Sequence, residues 1–129
     1  MQPTIYDRPE HDQLRATVAR FLAEAVEPHG ERWEEQGFVP REVLRKLGSL
    51  GLLGITYPPE YGGTGADAIT SVVFQEALSR STFGGFVVTV LVHTDMASPH
   101  LLHGGNEAQQ ARWMPALIAG EKIAAVAMT

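Results

Sequence analysis

Apolar residues recur at spacings of three and four through much of the chain, the period of helices that turn one face to a core. Leu14, Val18, Phe21, Leu22, Ala25 and Val26 form the first such stripe, with Arg15, Arg20, Glu24 and Glu27 largely on the other side. Pro9 suits a first helical turn, where a missing N–H costs nothing, and Pro28 bends or ends the helix. A second helical stretch runs through Trp33 to Gln36 and stops at Gly37; Pro40 opens a third, with Val43, Leu44 and Leu47 inward and Gly48 and Gly51 at its end. Asp67 is an N-cap candidate for a helix from about Ala68 to Arg80, whose apolar residues are Ile69, Val72, Val73 and Ala77. Gly84-Gly85 then punctuates the chain.

From Phe86 towards Leu102 the residues are mostly apolar. The β-branched Val87, Val88, Val90 and Val92 make a strand a competing reading. Apolar positions continue to Met96 and Leu101-Leu102 without alternation, which favours a central helix. Asn106 followed by Gln109 has the spacing of a capping box, opening a helix with Trp113 and Met114 inward and Pro115 as its breaker. Between the helices, Tyr57 to Gly65 holds two prolines and three glycines and is read as an irregular turn. After Gly120, residues 123–129 read as an apolar strand with nothing to pair with. The expected fold is all-α: about six helices in an orthogonal or up-down bundle, with an orphan β-strand at the C-terminal end.

A length of 129 residues fits one domain able to bury a core without staples. The absence of cysteine removes disulfides, thiolate metal sites and a cysteine nucleophile, and is compatible with a reducing cytosol. The net charge is -5 with basic residues scattered singly, which disfavours nucleic-acid binding. No basic segment followed by an apolar run opens the chain, and the apolar stretch near Phe86 to Val92 is far shorter than a bilayer span. A cytoplasmic protein without a membrane span is expected.

Self-contained chemistry is hard to find. The glycines at 62–65 lack the Gly-Lys-Ser/Thr ending of a phosphate loop and the third glycine of a dinucleotide fingerprint. His93, His100 and His103 would lie within about 80° of one another on a continuous helix, but Asp95 points about 200° from His93. Helix-surface histidines are the preferred reading, and no metal site is assigned. The serines lack an esterase elbow, and nothing in the sequence sets a partner for Glu60, Glu76, Glu107 or Glu121 as a general base. Glu76 is placed on the solvent side or an edge of its helix.

Five segments in order nevertheless carry a resemblance. Gly51-Leu52-Leu53-Gly54-Ile55 with Pro58-Pro59-Glu60-Tyr61-Gly62-Gly63-Thr64-Gly65 is the first, and Gln75-Glu76-Ala77-Leu78-Ser79-Arg80 the second. His93 and Pro99 with Gly105-Asn106-Glu107-Ala108-Gln109-Gln110 follow, then Trp113-Met114-Pro115-Ala116-Leu117-Ile118-Ala119-Gly120-Glu121, and last Ala127-Met128-Thr129. Together, from about Arg8 to Thr129, they resemble the N-terminal helical domain of the acyl-CoA dehydrogenases, in a long-chain-like branch.

The resemblance implies a helical domain at 1–121, with 122–129 as the first strand of a middle β domain that the chain would not complete. It implies FAD as cofactor and α,β-dehydrogenation of acyl-CoA thioesters to trans-2-enoyl-CoA, as in the β-oxidation of fatty acids. An electron-transferring flavoprotein would be the electron acceptor and the enzyme a homo-oligomer, usually a tetramer. By position, Val126, Met128 and Thr129 would touch the flavin, Thr129 through its backbone N–H and hydroxyl. Val126 stands where the family often has an aromatic, which weakens the case for stacking there. Val90, Leu91, Thr94 and Ser98 would wall the acyl tail, in competition with a plain core role. The family's catalytic glutamate lies in its C-terminal domain, so no catalytic residue is assigned and these 129 residues alone are expected to be inactive. Exposed apolar faces are expected to make the isolated chain prone to self-association. The alternatives are a non-catalytic helical interaction module, or a domain of a related acyl-CoA oxidase or flavin monooxygenase; the codons after Thr129 would separate the module from the enzymes.

Overall fold

The computed structural model describes Thr4 and residues 8–129. Helix α1 (Pro9–Phe21) continues without a break into a π-helical segment (Leu22–Val26), and α2 (Gly30–Gln36), α3 (Arg41–Ser49) and a 3-10 turn (Pro59–Tyr61) follow. After α4 (Ala68–Leu78), α5 (Gly84–Leu91) runs through a second π-helical segment (Val92–Ala97) into α6 (Ser98–Gly104), and α7 (Glu107–Ile118) comes last. Counting α5 to α6 as one run, the described residues hold six helical runs and no strand. The all-α class and the helix number match the periodicity of the sequence.

The ends of the helices follow local chemistry. Asp67 caps α4 by accepting from the Thr70 N–H, and Asn106 and Gln109 form a reciprocal capping box on α7. Gly37 closes α2 at φ 80, a left-handed conformation that side chains resist.

One core unites the first five helices. Val18, Phe21, Leu22 and Val26 meet Trp33, Leu44, Leu47, Leu52, Leu53, Val73, Phe74, Leu78, Phe86 and Val90, all buried. Each such aliphatic or aromatic side chain contributes about 1.5–3 kcal/mol on burial. A smaller cluster of Tyr57, Met114, Leu117 and Ile118 joins α7 to the glycine-rich turn, with Leu101, Leu102 and Ala124 at its edge. Within this cluster lies the ground on which a candidate site is built.

Several expectations need correction. Pro115 does not break α7, which continues to Ile118. Both Pro115 and Ala111, whose carbonyl loses its helical donor, are exposed, so water can take the donor's place. Trp113 is 38% exposed and faces outward beneath the Arg112 guanidinium, 4.7 Å from its ring centre. Val72 is also exposed, and α4 turns Val73, Phe74, Ala77 and Leu78 inward instead. Gly84-Gly85 begins α5 rather than preceding a helix at Phe86. Residues 123–129 take no helical or strand structure, and no strand among the described residues lies beside them to supply a ladder. Glu76 is exposed, as its position on the helix implies.

Candidate functional site

The run from α5 to α6 changes register at the π-helical segment. There the Ser98 N–H reaches back five residues to the His93 carbonyl instead of four to Thr94. In the same register the Thr94 carbonyl would receive the N–H of residue 99, but Pro99 has none. The Tyr57 hydroxyl fills that gap by donating to the Thr94 carbonyl. Tyr57 is itself fixed by the turn, its own carbonyl accepting the Gly65 N–H at 2.9 Å. Gly63 lies directly against that carbonyl, where a Cβ would collide with it. Burial pushes the Tyr57 phenol up to about 12, the nearby Ser98 hydroxyl pulling the other way and the Asp95 carboxylate adding to the rise.

Polar groups line the same stretch. Thr94 Oγ1 is within donating distance of the Val90 carbonyl at 3.1 Å and of Asp95 Oδ2 at 2.5 Å. Gln75 Nε2 on α4 donates to Asp95 Oδ1 at 3.1 Å and to Ser71 Oγ at 3.2 Å. Ser98 Oγ is buried with no partner in hydrogen-bonding geometry. The cavity behind Thr94, reached by Leu53, Ile55, Tyr57 and Phe74, has a volume of about 10 Å³. That is room for one water and not for an acyl tail.

The four positions assigned to a tail wall divide between inside and outside. Val90 is fully buried in the core and Ser98 is 1% exposed, while Leu91 and Thr94 are half-buried. Beside the exposed Asp95, His100 and His103, this run also turns apolar side chains outward: Val88 is 59% exposed, Met96 46%, and Val92 half-buried. Sequence alone did not single these out, because a nearly all-apolar run hides which side meets the core. The three positions assigned to the flavin lie on the stretch without helix or strand that follows α7. Val126 is half-buried, while Met128 and Thr129 are exposed. Their main-chain donors and acceptors are without a partner among the described residues.

His93 anchors that stretch. Its ring is 1% exposed, which overturns its reading as a surface histidine; His100 and His103 are the exposed ones. Nε2 lies 2.9 Å from the Leu117 carbonyl and Nδ1 lies 3.0 Å from the Ala124 N. A carbonyl only accepts and an amide N–H only donates, so Nε2 carries the proton and Nδ1 accepts. Burial holds the His93 cation below its ordinary range, opposed in part by the Leu117 carbonyl. Among the described residues no group of three His, Cys, Asp or Glu side chains is arranged around a metal position. The sequence carries only half of the signal for Tyr57: a proline inside an apolar helix announces an upstream carbonyl in need of a donor, without naming the donor.

A second carboxylate holds the far end of the same helix. Glu27 accepts from Ser81 Oγ at 2.7 Å and Thr82 Oγ1 at 2.7 Å, tying the turn before α5 to the end of the first helical run. These bonds, from Thr82 first and Ser81 next, lower the Glu27 carboxyl below its ordinary range. Asp67 is lowered further, well below the usual carboxylate range, by the Thr70 hydroxyl and N–H and then by Arg8.

The geometry agrees with what the chain is similar to. Residues 8–121 match the family model described as acyl-CoA dehydrogenase, N-terminal domain. The chain is 38% identical over 122 residues to the mitochondrial long-chain specific acyl-CoA dehydrogenase of Mus musculus, covering 93% of this chain and 27% of that protein. It is equally 38% identical over 122 residues to the mitochondrial isovaleryl-CoA dehydrogenase of Pongo abelii, covering 93% and 29%. A crystal structure of an acyl-CoA dehydrogenase complexed with FAD from Bacillus anthracis superposes with a TM-score of 0.83 at 36% identity, covering 91% of this chain and 20% of that one. The chain thus spans less than a third of the length of these relatives. No helix among the described residues is long and apolar enough to cross a membrane. A match across 114 of 129 residues, together with the same fold, shows that the chain belongs to the acyl-CoA dehydrogenase N-terminal domain family.

Proposed function

We propose that this chain forms the helical wall of the acyl-tail and flavin site in an FAD-dependent enzyme that converts acyl-CoA thioesters to trans-2-enoyl-CoA. The observation that carries the reading is the pair of apolar side chains, Val88 and Met96, that the α5 to α6 run leaves exposed on a helix whose other side is core. An exposed apolar face of this kind calls for an apolar partner. Leu91 and Thr94 are the sequence-assigned wall positions with surface to contribute, while Val90 and Ser98 support them from within.

FAD, when bound, supplies the acceptor for a hydride from the substrate β-carbon. The chain's own part is to exclude water and to orient. Val126, Met128 and Thr129 are the residues proposed to meet the flavin, with the Thr129 N–H and hydroxyl facing its polar edge. A water-poor apolar wall favours hydride movement, because no solvent reorganises around a developing charge. The α-proton is removed by a base that this chain is not proposed to supply. An electron-transferring flavoprotein is the proposed electron acceptor, a homo-oligomer the proposed assembly, and fatty-acid β-oxidation in the cytoplasm the proposed setting, compatible with a sequence free of cysteine.

The test is a flavin absorbance titration of the full gene product against straight and branched acyl-CoA thioesters, with mass-spectrometric detection of product. Bound FAD, loss of its absorbance on adding substrate, and a product two mass units lighter support the reading. A product that lacks bound flavin, or that leaves every thioester unchanged, overturns it. Hydrogen peroxide formed in step with the enoyl product would move the assignment to an oxidase.

A further inference from the structure

We propose that His93 is the residue that positions the flavin-contacting stretch 124–129, an inference that rests on the flavin reading above. Among the described residues the stretch takes no regular secondary structure. Its side-chain tether is the His93 imidazole, which accepts the Ala124 N–H at 3.0 Å two residues before Val126. A rotation at Ala124 would carry Val126, Met128 and Thr129 with it.

The tether is rigid for three reasons. The ring is 1% exposed, so its rotamer is locked by packing. Its other nitrogen donates to the Leu117 carbonyl at 2.9 Å, in the last turn of α7, where helical carbonyls lack i+4 donors. The two partners force opposite roles on the two nitrogens, leaving one tautomer and one ring orientation. The Ala124 side chain completes the link by packing at the edge of the Met114, Leu117 and Ile118 cluster. His93 thus transmits the position of α7 to the stretch that reaches the flavin.

Two substitutions separate the two bonds. His93→Asn places an amide oxygen near the position of Nδ1 and can keep the Ala124 bond while losing Leu117. His93→Gln places an amide nitrogen near Nε2 and can keep the Leu117 bond while losing Ala124. The FAD dissociation constant of the full gene product is measured by fluorescence, together with the melting temperature and hydrogen exchange of residues 122–126. Positioning through Ala124 predicts an FAD dissociation constant raised about tenfold in His93→Gln and less than about threefold in His93→Asn, whatever the order of the melting temperatures. It also predicts a protected Ala124 amide in the wild type and in His93→Asn, exchanging faster in His93→Gln. Equal losses of affinity, losses that follow melting temperature alone, or an unprotected Ala124 amide in the wild type overturn the proposal. A wild type that binds no FAD removes the flavin reading and this inference together, whereas normal wild-type binding with indistinguishable variants removes only the inference.

Discussion

The Tyr57 hydroxyl donates to the main-chain carbonyl of Thr94, the one carbonyl in the π-helical segment that Pro99 leaves without a donor. A side chain from the glycine-rich turn therefore completes the hydrogen bonding of a helix 37 residues away. Removing the hydroxyl strands a carbonyl, and Tyr57→Phe should cost about 1–3 kcal/mol. Pro99→Ala restores an N–H in the π register, so the cost of Tyr57→Phe should shrink in that background. Urea unfolding of the four proteins of this double-mutant cycle measures the coupling. Costs that simply add would show that the proline does not create the need for the phenol.

Val88 and Met96 separate stability from substrate fit. Both are substantially exposed, so Val88→Ala and Met96→Ala should change unfolding free energy by no more than about 0.5 kcal/mol. In the full gene product the same changes should raise KM for acyl-CoA substrates, by a factor that differs between short and long tails. An unchanged chain-length profile would move the acyl tail to another face.

Acid should destabilise the fold in two steps. His93 has a folded pKa below its ordinary 6.5, so the unfolded chain binds the proton more readily. Its effect on stability is flat above 6.5, and stability falls as pH drops below it. Glu27 and Asp67 are lowered from ordinary values of 4.5 and 3.8, so their stabilisation is present above those values and lost as pH falls further. Melting temperature against pH should show both steps in the wild type. The upper step should vanish in His93→Asn and the lower one should shrink in Glu27→Gln.

Gly120 tests the joint between α7 and α3. Its φ is 74, and an added Cβ would strike the Leu44 carbonyl. Gly120→Ala combines backbone strain with a collision against immobile main chain, and should cost about 2 kcal/mol or more in a thermal or urea melt. Gly37→Ala, at φ 80 with open space around it, should cost less, since strain acts there alone.

Local chemistry is what the sequence determined by itself. Apolar spacing set the helical runs, Asp67 and the Asn106–Gln109 pair set two helix starts, and the order of the glycine and proline turns set the family. Each of these depends on residues within a few positions of one another, where backbone geometry fixes the outcome. Tertiary structure alone decided which side of the α5 to α6 run is core, because Val87, Val88, Val90 and Val92 are chemically interchangeable until neighbours cover some of them. It decided that Pro115 could remain inside α7, since water access to the Ala111 carbonyl is a property of the surface. It also decided the roles of Tyr57 and His93, whose partners lie 37, 24 and 31 residues away. A hydrogen bond across such a span depends on where the whole core places two elements, and residue spacing carries no record of it.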